Sequence, residues 1–397
     1  MLDKIKALQD HFVVRGDKYI MRVDFNVPLK DGQVSDDTRI RKSLPAIEYL
    51  LEREAIVILL SHLGRPKGKV KPEFSLRPVA SHLSSLIQRE VFFIPFTEDK
   101  EILRGYVKEA LPRTVIMLEN VRFYPGETQG DESLADMWAS LSDFYVNEAF
   151  GVSHRKHTSV YHLPLKFPPD KRFAGPLLLK EIQAGRRLLE ETSRPYVVIT
   201  GGAKISDKVK LLKKLLNEAD RVLIGGAMAT CFLKAQGLNV GKSYYEQDAV
   251  EIAEQLLKEY ESKISLPIDV VVLLPNNTTA TVKVNEIPPE GAAMDVGPET
   301  IANWEPEILN AARIFWNGPV GVFEQEPFAK GTQSICSLLA SAHQRGTFVL
   351  VGGGDTAAAA NKFNITDKVS HVSTGGGAML KFLEAGTLPG IEALYME

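Results

Sequence analysis

Hydrophobic and polar positions follow two alternating periods along most of the chain. Within 37–53, Ile40, Leu44, Ile47 and Leu51 recur at spacings of four, three and four residues, which places them in one apolar stripe along a helix. The same period predicts two further helices, at 75–89 and 132–142. Short apolar runs between these stretches predict buried strands, at 18–27, 55–61, 91–96, 114–119 and 144–150.

Four apolar runs in the second half lead directly into glycines and then into a helical stretch: 196–202, 221–226, 348–354 and 371–377. Strands that alternate with helices predict parallel sheets. We therefore predict an α/β protein of two Rossmann-like domains, each a mostly parallel sheet with helices on both faces, joined by a hinge. Ligands of such sheets bind at the carboxyl ends of the strands.

Prolines mark the boundary between the two halves. Pro164, Pro168, Pro169 and Pro176 lie close together, and such a stretch is typical of a connection that does not pack. A segment of helical period, 177–192, follows. We predict a first domain over 1–168, a hinge and linking helix over 169–192, and a second domain from 193. Short strands and loops over 270–298 would be appended to the second domain.

The composition is that of an ordinary globular protein and narrows the function. Of 397 residues, 44% are hydrophobic and 24% charged, and a net charge of −3 disfavours a broad nucleic-acid surface. Cys231 and Cys336 form no metal-spaced pair, so we expect neither a disulfide scaffold nor a zinc site, and a reducing compartment fits. The N-terminus has no apolar stretch typical of a secretory signal, and no run approaches the ~20 apolar residues of a membrane span.

Glycines between a strand and a helix suit the binding of phosphate. They let backbone N–H groups come close to the anion, and the start of the helix adds partial positive charge. At Gly201-Gly202-Ala203-Lys204 two ammonium groups join such a turn, because Lys208 follows Lys204 by one helical turn. One such turn fits tight packing of a helix on a strand equally well. Four of them, two with three glycines, favour phosphate binding.

Asp355 follows a glycine turn, Gly352 to Gly354, and has two interpretations. It is either the cap of the next helix or a ligand of Mg²⁺, which takes one or two carboxylates together with substrate phosphates. The residues alone leave both open. The stretch from Gly237 to Ser243 resembles a Walker A loop but is one residue short of that motif, and we interpret it as a surface turn.

Basic residues follow the ends of the predicted strands in the first half. Parallel strands bring such ends to one sheet edge, and arginine captures carboxylate and phosphate with two hydrogen bonds. Each arginine alone also fits a surface ion pair, but together they predict a site for a small ligand with two or three negative charges. We assign His157 a structural role. The predicted cluster comprises Arg39, Arg65, Arg122 and Arg155, with His62 and His154.

The chain resembles the phosphoglycerate kinases along nearly its whole length. In the first half the resemblance is carried by RVDFNVPL (22–29), SHLGRP (61–66), LENVRF (118–123) with PGE (125–127), and NEAFGVSHRKH (147–157). In the second half it is carried by GGAKISDK (201–208), FWNGPVGVFE (315–324), GGGDT (352–356) and STGGGA (373–378). It implies reversible phosphoryl transfer between 1,3-bisphosphoglycerate with ADP and 3-phosphoglycerate with ATP, using Mg²⁺, in glycolysis, gluconeogenesis or carbon fixation. We expect a cytoplasmic monomer that binds neither nucleic acid nor membrane.

The resemblance also implies roles for particular residues. Those that would hold the acid are Asp24, Asn26, Arg39, His62, Arg65, Arg122 and Arg155. Arg39, Lys204 and Gly376 would serve catalysis, and Lys204 with Lys208 would contact phosphates. The remaining nucleotide contacts would be Gly202, Ala203, Gly226, Ala293, Asn317, Pro319, Glu324, Gly353, Gly354, Asp355 and Thr356, with Asp355 on the metal. A C-terminal segment from about residue 380 would return to the first domain, leaving 193–379 as the second.

Three residues depart from the family pattern. Ala293 stands where a glycine near the adenine is usual, which leaves the preferred base open. Tyr124 replaces a histidine and Glu148 replaces an aspartate.

Two other functions fit the same architecture less well. A nicotinamide-dependent dehydrogenase would require G-x-G-x-x-G after a strand, and that spacing is missing. The absence of Arg39, Lys204 or Asp355 would indicate a non-catalytic sensor, but the sequence contains all three. For a kinase of this kind we expect no general base, because the attacking carboxylate is already ionised at pH 7. We also predict that the domains close on a hinge within 164–192.

Overall fold

Two compact units make up the chain. The computed structural model describes residues 2–202 and 205–396. One unit comprises Met1–Gln183 with Thr387–Glu397, and the other comprises Ala184–Gly386. The division falls inside a long helix, Pro176–Glu190, within the segment 169–192 for which we predicted a hinge and linking helix.

The first unit is an α/β layer structure around a parallel sheet of six strands. Its strands are β1 (Lys18–Val23), β2 (Leu29–Lys30), β3 (Gln33–Val34), β4 (Ile56–Leu60), β5 (Val91–Ile94), β6 (Val115–Leu118), β7 (Phe144–Glu148) and β8 (Arg172–Ala174). Its helices are α1 (Thr38–Glu52), α2 (Arg77–Ile87), α3 (Lys100–Lys108), α4 (Gly126–Gln129), α5 (Glu132–Ala139), α6 (Leu163–Leu165) and the first part of α7 (Pro176–Glu190). The sheet order is β5-β6-β4-β1-β7-β8, with β2 and β3 in a separate hairpin. All residues of β4 and β6 are buried, as expected for strands covered on both faces.

Period and turn chemistry account for most of these elements. The predicted stripe of α1 buries Ile40, Ile47 and Leu51, whereas Leu44 is only partly buried.

One prediction is wrong: the proline-rich stretch that we expected not to pack includes β8, which pairs in parallel with β7 and buries Phe173. A strand of three residues is too short to show a period, so the prolines beside it dominated the pattern.

The second unit repeats the architecture with a more regular strand order. Its strands are β9 (Tyr196–Thr200), β10 (Arg221–Ile224), β11 (Ile264–Ser265), β12 (Asp269–Leu273), β13 (Thr279–Lys283), β14 (Ala292–Val296), β15 (Arg313–Asn317), β16 (Phe348–Val351) and β17 (His371–Val372). Its helices are the rest of α7, α8 (Val209–Glu218), α9 (Gly226–Ala235), α10 (Val250–Tyr260), α11 (Pro298–Leu309), α12 (Lys330–Gln344), α13 (Gly354–Lys362) and α14 (Gly377–Ala385). The parallel sheet has the order β11-β10-β9-β15-β16-β17, and β13-β12-β14 form a small antiparallel sheet.

Short single turns complete both units. The 3₁₀ turns are Leu2–Lys4, Leu8–Asp10, Pro72–Phe74, Val121–Phe123, Phe150–Val152, Pro169–Lys171, Ser206–Lys208, Gln247–Ala249, Val284–Glu286 and Glu326–Phe328, and Thr158–His162 is a π-helical turn. The stretch from Gly237 to Ser243 is a loop with no helix directly after it, so it lacks the context of a Walker A motif.

The C-terminal residues pack within the first unit. After α14 the chain forms α15 (Pro389–Glu392). The N–H of Gly390 donates to the carbonyl of Ser153 at 2.8 Å, and the side-chain amide of Asn147 donates to the Gly390 carbonyl at 3.1 Å. Tyr395 pairs with Ile5 in an isolated bridge. Among the helices of the described residues, none combines the length and the apolar composition that a membrane span requires.

Candidate active site

The ends of β1, β4 and β6 bring most of the predicted acid-binding residues together. In an open α/β sheet the crevice forms where the strand order reverses, which in the first unit lies beside β1. Asp24 and Asn26 follow β1, and Arg39 lies in the first turn of α1. Nη1 of Arg39 donates to Oδ2 of Asp24 at 3.1 Å and to the Asn26 carbonyl at 3.3 Å. The helix start is thereby tied to the end of the strand.

Gly64 joins the other two strand ends to the same point. Its N–H donates to Oδ1 of Asn26 at 2.8 Å, and its carbonyl accepts from Nη1 of Arg122 at 2.8 Å. Arg65 is the next residue and is exposed. Within the described part of the chain, no hydrogen bond or ion pair links Arg65 to the others.

Positive charge is concentrated around His62. Burial of His62, followed by the charges of Arg22, Arg122, Arg39 and Arg155, holds its pKa well below the ordinary value. Burial and the charges of Arg22 and Arg155 also lower the pKa of Arg122 to about 10. These residues are called the basic cluster below: Arg22, Arg39, His62, Arg122 and Arg155. An anion bound there would relieve repulsion between like charges.

The two remaining histidines of this region, His154 and His157, are neighbours of the cluster. Nε of Arg155 donates to Nε2 of His154 at 3.1 Å. Burial and the charges of Arg122 and Arg155 lower the pKa of His157 to about 3. His157 therefore adds no charge to the site at neutral pH.

Five strand ends of the second unit converge on a set of glycine turns. A Cβ on Gly226 would lie 2.9 Å from the nitrogen of Gly202, and one on Gly376 would lie 3.4 Å from the nitrogen of Gly354. Gly353 has φ of +106° and leaves no room for a Cβ, which would lie 2.6 Å from Nδ2 of Asn317. That amide donates to the carbonyl of Gly352 at 2.7 Å. The N–H of Gly201 donates to the carbonyl of Asn317 at 3.0 Å. The turns after β9, β10, β15, β16 and β17 therefore form one continuous group, called the glycine cluster below.

A cavity of about 380 Å³ opens beside the glycine cluster. Its apolar walls come mainly from α9, from β14 and from the loop after β15, a lining suited to an aromatic base. Of the predicted nucleotide contacts, those that line it are Gly202, Gly226, Ala293, Pro319, Glu324 and Asp355.

The other predicted nucleotide contacts either do not line the cavity or fall outside the described residues. Oγ1 of Thr356 accepts the N–H of Gly318 at 2.7 Å, which ties the start of α13 to the end of β15. Nζ of Lys208 lies 3.5 Å from the Gly201 carbonyl. Ala203 and Lys204 fall outside the described residues.

Sequence reasoning missed several residues of both sites. Tyr244 and Asp295 line the cavity, and burial raises the pKa of Asp295 to about 7. In the first unit, Arg22, Glu127 and Ser159 lie buried beside the predicted acid site. Arg22 and Glu127 stand within motifs that the sequence singled out, but nothing in the local pattern showed that they are buried together.

The metal implied by the resemblance is compatible with Asp355. This residue lies in the first turn of α13, is exposed and borders the cavity. Among the described residues there is no group of three or more His, Cys, Asp or Glu side chains that could hold a metal ion. A single carboxylate beside glycine turns suits Mg²⁺, which takes its other ligands from water and phosphate.

Comparison with known proteins gives one consistent result. The family model described as "Phosphoglycerate kinase" matches residues 8–386. The chain is 48% identical over 388 residues to a phosphoglycerate kinase of Thermosipho africanus, with 96% of each protein covered. It is also 48% identical over 384 residues to one of Pseudothermotoga lettingae, covering 94% of this chain and 95% of the other.

Solved structures agree with these relatives. The structure of phosphoglycerate kinase from Coxiella burnetii matches with a TM-score of 0.86 and 37% identity, covering 98% of both chains. That from Pyrococcus horikoshii matches with a TM-score of 0.85 and 30% identity, also over 98% of both chains. The predicted fold class, two parallel-sheet α/β domains flanked by helices, is confirmed.

Proposed function

The chain belongs to the phosphoglycerate kinase family, and from that premise we propose how its two units divide the reaction. The protein is a phosphotransferase with a carboxyl acceptor, and it transfers a phosphoryl group reversibly between 1,3-bisphosphoglycerate with ADP and 3-phosphoglycerate with ATP. The first unit holds the acid on the basic cluster, together with Asp24, Asn26 and Arg65. The second unit holds the nucleotide on the glycine cluster and in the adjoining cavity. The concentration of positive charge around His62 carries this assignment.

The polar groups of the first unit match those of 3-phosphoglycerate, which has a phosphate, a hydroxyl and a carboxylate. Arginines donate to the two anionic groups. Oδ1 of Asp24 is buried and accepts no hydrogen bond within the described residues, so it supports a role as acceptor for the hydroxyl. Arg39 already contacts Asp24, and its side chain is only partly buried, so it is the candidate to follow the moving phosphoryl group.

Transfer itself requires positioning and charge neutralisation and no proton acceptor. The carboxylate of 3-phosphoglycerate attacks while ionised, since its pKa is near ~3.5. In-line placement of the two substrates and cations on the phosphoryl oxygens then supply the rate. Arg39 serves the acid side, and the N–H groups at Gly353 to Thr356 and around Gly376 serve the nucleotide side. Lys204 is assigned by the family pattern alone.

Mg²⁺ would be held by Asp355 and would neutralise charge on the nucleotide phosphates when bound. An Asp355→Asn variant should need about tenfold more Mg²⁺ for half-maximal rate, corresponding to the loss of one charged ligand. An unchanged Mg²⁺ requirement would show that Asp355 is not a ligand of the metal.

We further propose that the protein is a monomer and acts in the cytoplasm. Both cysteines are free thiols, which a reducing compartment favours. Analytical ultracentrifugation that shows a dimer would contradict the proposed monomer.

Arg39→Ala tests the proposed division of the reaction. Turnover should fall by about a thousandfold or more, as for other arginines that stabilise a moving phosphoryl group, while the KM for ATP stays within about twofold. Arg41→Ala is the matched control, because Arg41 lies on the same helix, is 59% exposed and pairs with Asp37. Steady-state kinetics with both substrates varied give the result. Normal turnover in the Arg39→Ala protein would refute the role of this cluster.

A further inference from the structure

A buried chain of hydrogen bonds leads away from His62 into the first unit. Nη2 of Arg22 lies 3.3 Å from Nδ1 of His62. Nε of Arg22 donates to Oγ of Ser159 at 2.7 Å, and that hydroxyl donates to Oε1 of Glu127 at 2.6 Å. Arg22, Ser159 and Glu127 are completely buried.

The proton positions along this chain follow from the chemistry of its members. A guanidinium can only donate, so Ser159 accepts from Arg22 and its single hydroxyl hydrogen points to Glu127. Oε2 of Glu127 accepts the N–H of Ser159 at 2.8 Å, so both oxygens of the carboxyl accept. Burial raises the pKa of the Glu127 carboxyl, while the charge of Arg22 and the hydrogen bonds from Ser159 lower it. The ionised carboxylate satisfies all of these bonds and provides the counter-charge that a fully buried Arg22 requires.

The other end of the chain defines the tautomer of His62. Because Arg22 can only donate, Nδ1 of His62 must accept and carries no proton. Oδ1 of Asp24 is 3.7 Å from the same nitrogen, beyond hydrogen-bond distance. A neutral imidazole with a bare Nδ1 carries its proton on Nε2.

We propose that Glu127 is a positioning residue that acts through Ser159 and Arg22 to hold His62 in the Nε2–H tautomer, so that His62 donates a hydrogen bond to an oxyanion of the acid. This inference rests on the proposed function, which places His62 in the acid site. Glu127 does not touch the substrate. The π-helical turn Thr158–His162 carries Ser159, whose hydroxyl lies between the carboxylate and the guanidinium.

The tautomer of His62 in the wild-type protein is the first measurement. Two-bond ¹H–¹⁵N correlation spectra of the histidine rings distinguish the two tautomers, and the His62→Gln variant assigns the signal. We expect the pattern of a single Nε2–H tautomer at pH 7 without substrate. A protonated Nδ1, or an imidazolium ring, would overturn the proposal before any other variant is made.

Two variants then break the chain at different points. Ser159→Ala removes the bridge, and Glu127→Gln removes the charge with little change of shape. In both variants we expect a mixture of His62 tautomers. The KM for 3-phosphoglycerate should rise about tenfold, because one charge-assisted hydrogen bond is weakened. The kcat should stay within about threefold of the wild-type value, and the KM for ATP should not change. Glu101→Gln is the matched control, since Glu101 is 75% exposed and pairs with Arg104 on α3, away from this chain of hydrogen bonds. If Glu127→Gln does not fold, Ser159→Ala and the wild-type spectrum decide.

The two readouts separate failure of this inference from failure of the proposed function. A folded Ser159→Ala protein with an unchanged His62 tautomer overturns the positioning chain. A changed tautomer with an unchanged KM for 3-phosphoglycerate overturns its role in binding the acid. Normal turnover in Arg39→Ala would instead refute the proposed acid site, whatever the spectra of His62 show.

Discussion

Asp295 shows how burial controls the charge of a single side chain beside the nucleotide cavity. Its carboxyl oxygens accept N–H groups of Gly331 at 2.7 Å and of Val296 at 2.9 Å. Burial nevertheless raises its pKa from 3.8 to about 7, because loss of water outweighs those two hydrogen bonds. At a pH between about 4 and about 7, Asp295 therefore holds a proton more often in the folded protein than in the unfolded chain.

The free energy of unfolding should consequently fall as the pH rises from about 4 to about 7, by at most about 4 kcal/mol from this residue. The contribution is fully present below the ordinary pKa of Asp295 and is lost as the pH passes the raised one. Urea unfolding at pH 5 and pH 8 measures it, and Asp295→Asn should remove that part of the slope. Asp367→Asn, at an exposed position, should keep the wild-type slope. Equal slopes in all three proteins would contradict the account of Asp295.

At the scale of elements, the start of α13 shows why a glycine turn is required. Gly353 combines a φ of +106° with the close approach of Asn317. Gly353→Ala should displace that amide and raise the KM for ATP about tenfold or more, since a Cβ overlap with a ligand-binding turn costs over 1 kcal/mol. Gly346→Ala is the matched control: its φ of +99° is similar, but a Cβ there meets nothing within 4 Å. It should lower the melting temperature without changing the KM for ATP. Equal KM values in the two variants would show that strain alone matters.

The same elements show what the sequence could and could not predict. Strand and helix periods are local, so the two parallel sheets and the glycine turns were predictable from apolar runs and glycines. The position of Glu127 near Arg22 was not predictable, because it depends on how α4 and the turn that carries Ser159 pack beside β1. Such contacts join residues 32 and 137 positions apart, which no local pattern records. The cavity wall formed by Tyr244 and Asp295 was missed for the same reason.

At the scale of the whole molecule, the reaction requires that the acid and the nucleotide come together away from water. The division of the chain at Gln183 and Ala184 lies in α7, within the segment for which we predicted a hinge. Closure itself stays a prediction. Small-angle scattering should show a smaller radius of gyration only when 3-phosphoglycerate and a nucleotide are both present, because water exclusion is useful only then. No change of radius with both ligands would contradict it.

The central claim is that the basic cluster binds the acid and the glycine cluster binds the nucleotide, each in its own unit. Isothermal titration calorimetry of the Arg39→Ala and Gly353→Ala proteins, each with 3-phosphoglycerate and with ADP, tests it directly. We predict that Arg39→Ala weakens binding of the acid about tenfold or more, from loss of charge-assisted hydrogen bonds, and leaves ADP binding intact, and that Gly353→Ala does the reverse. The account would be contradicted if either folded variant bound both ligands more weakly. It would also be contradicted if Arg39→Ala weakened only ADP binding or Gly353→Ala weakened only binding of the acid.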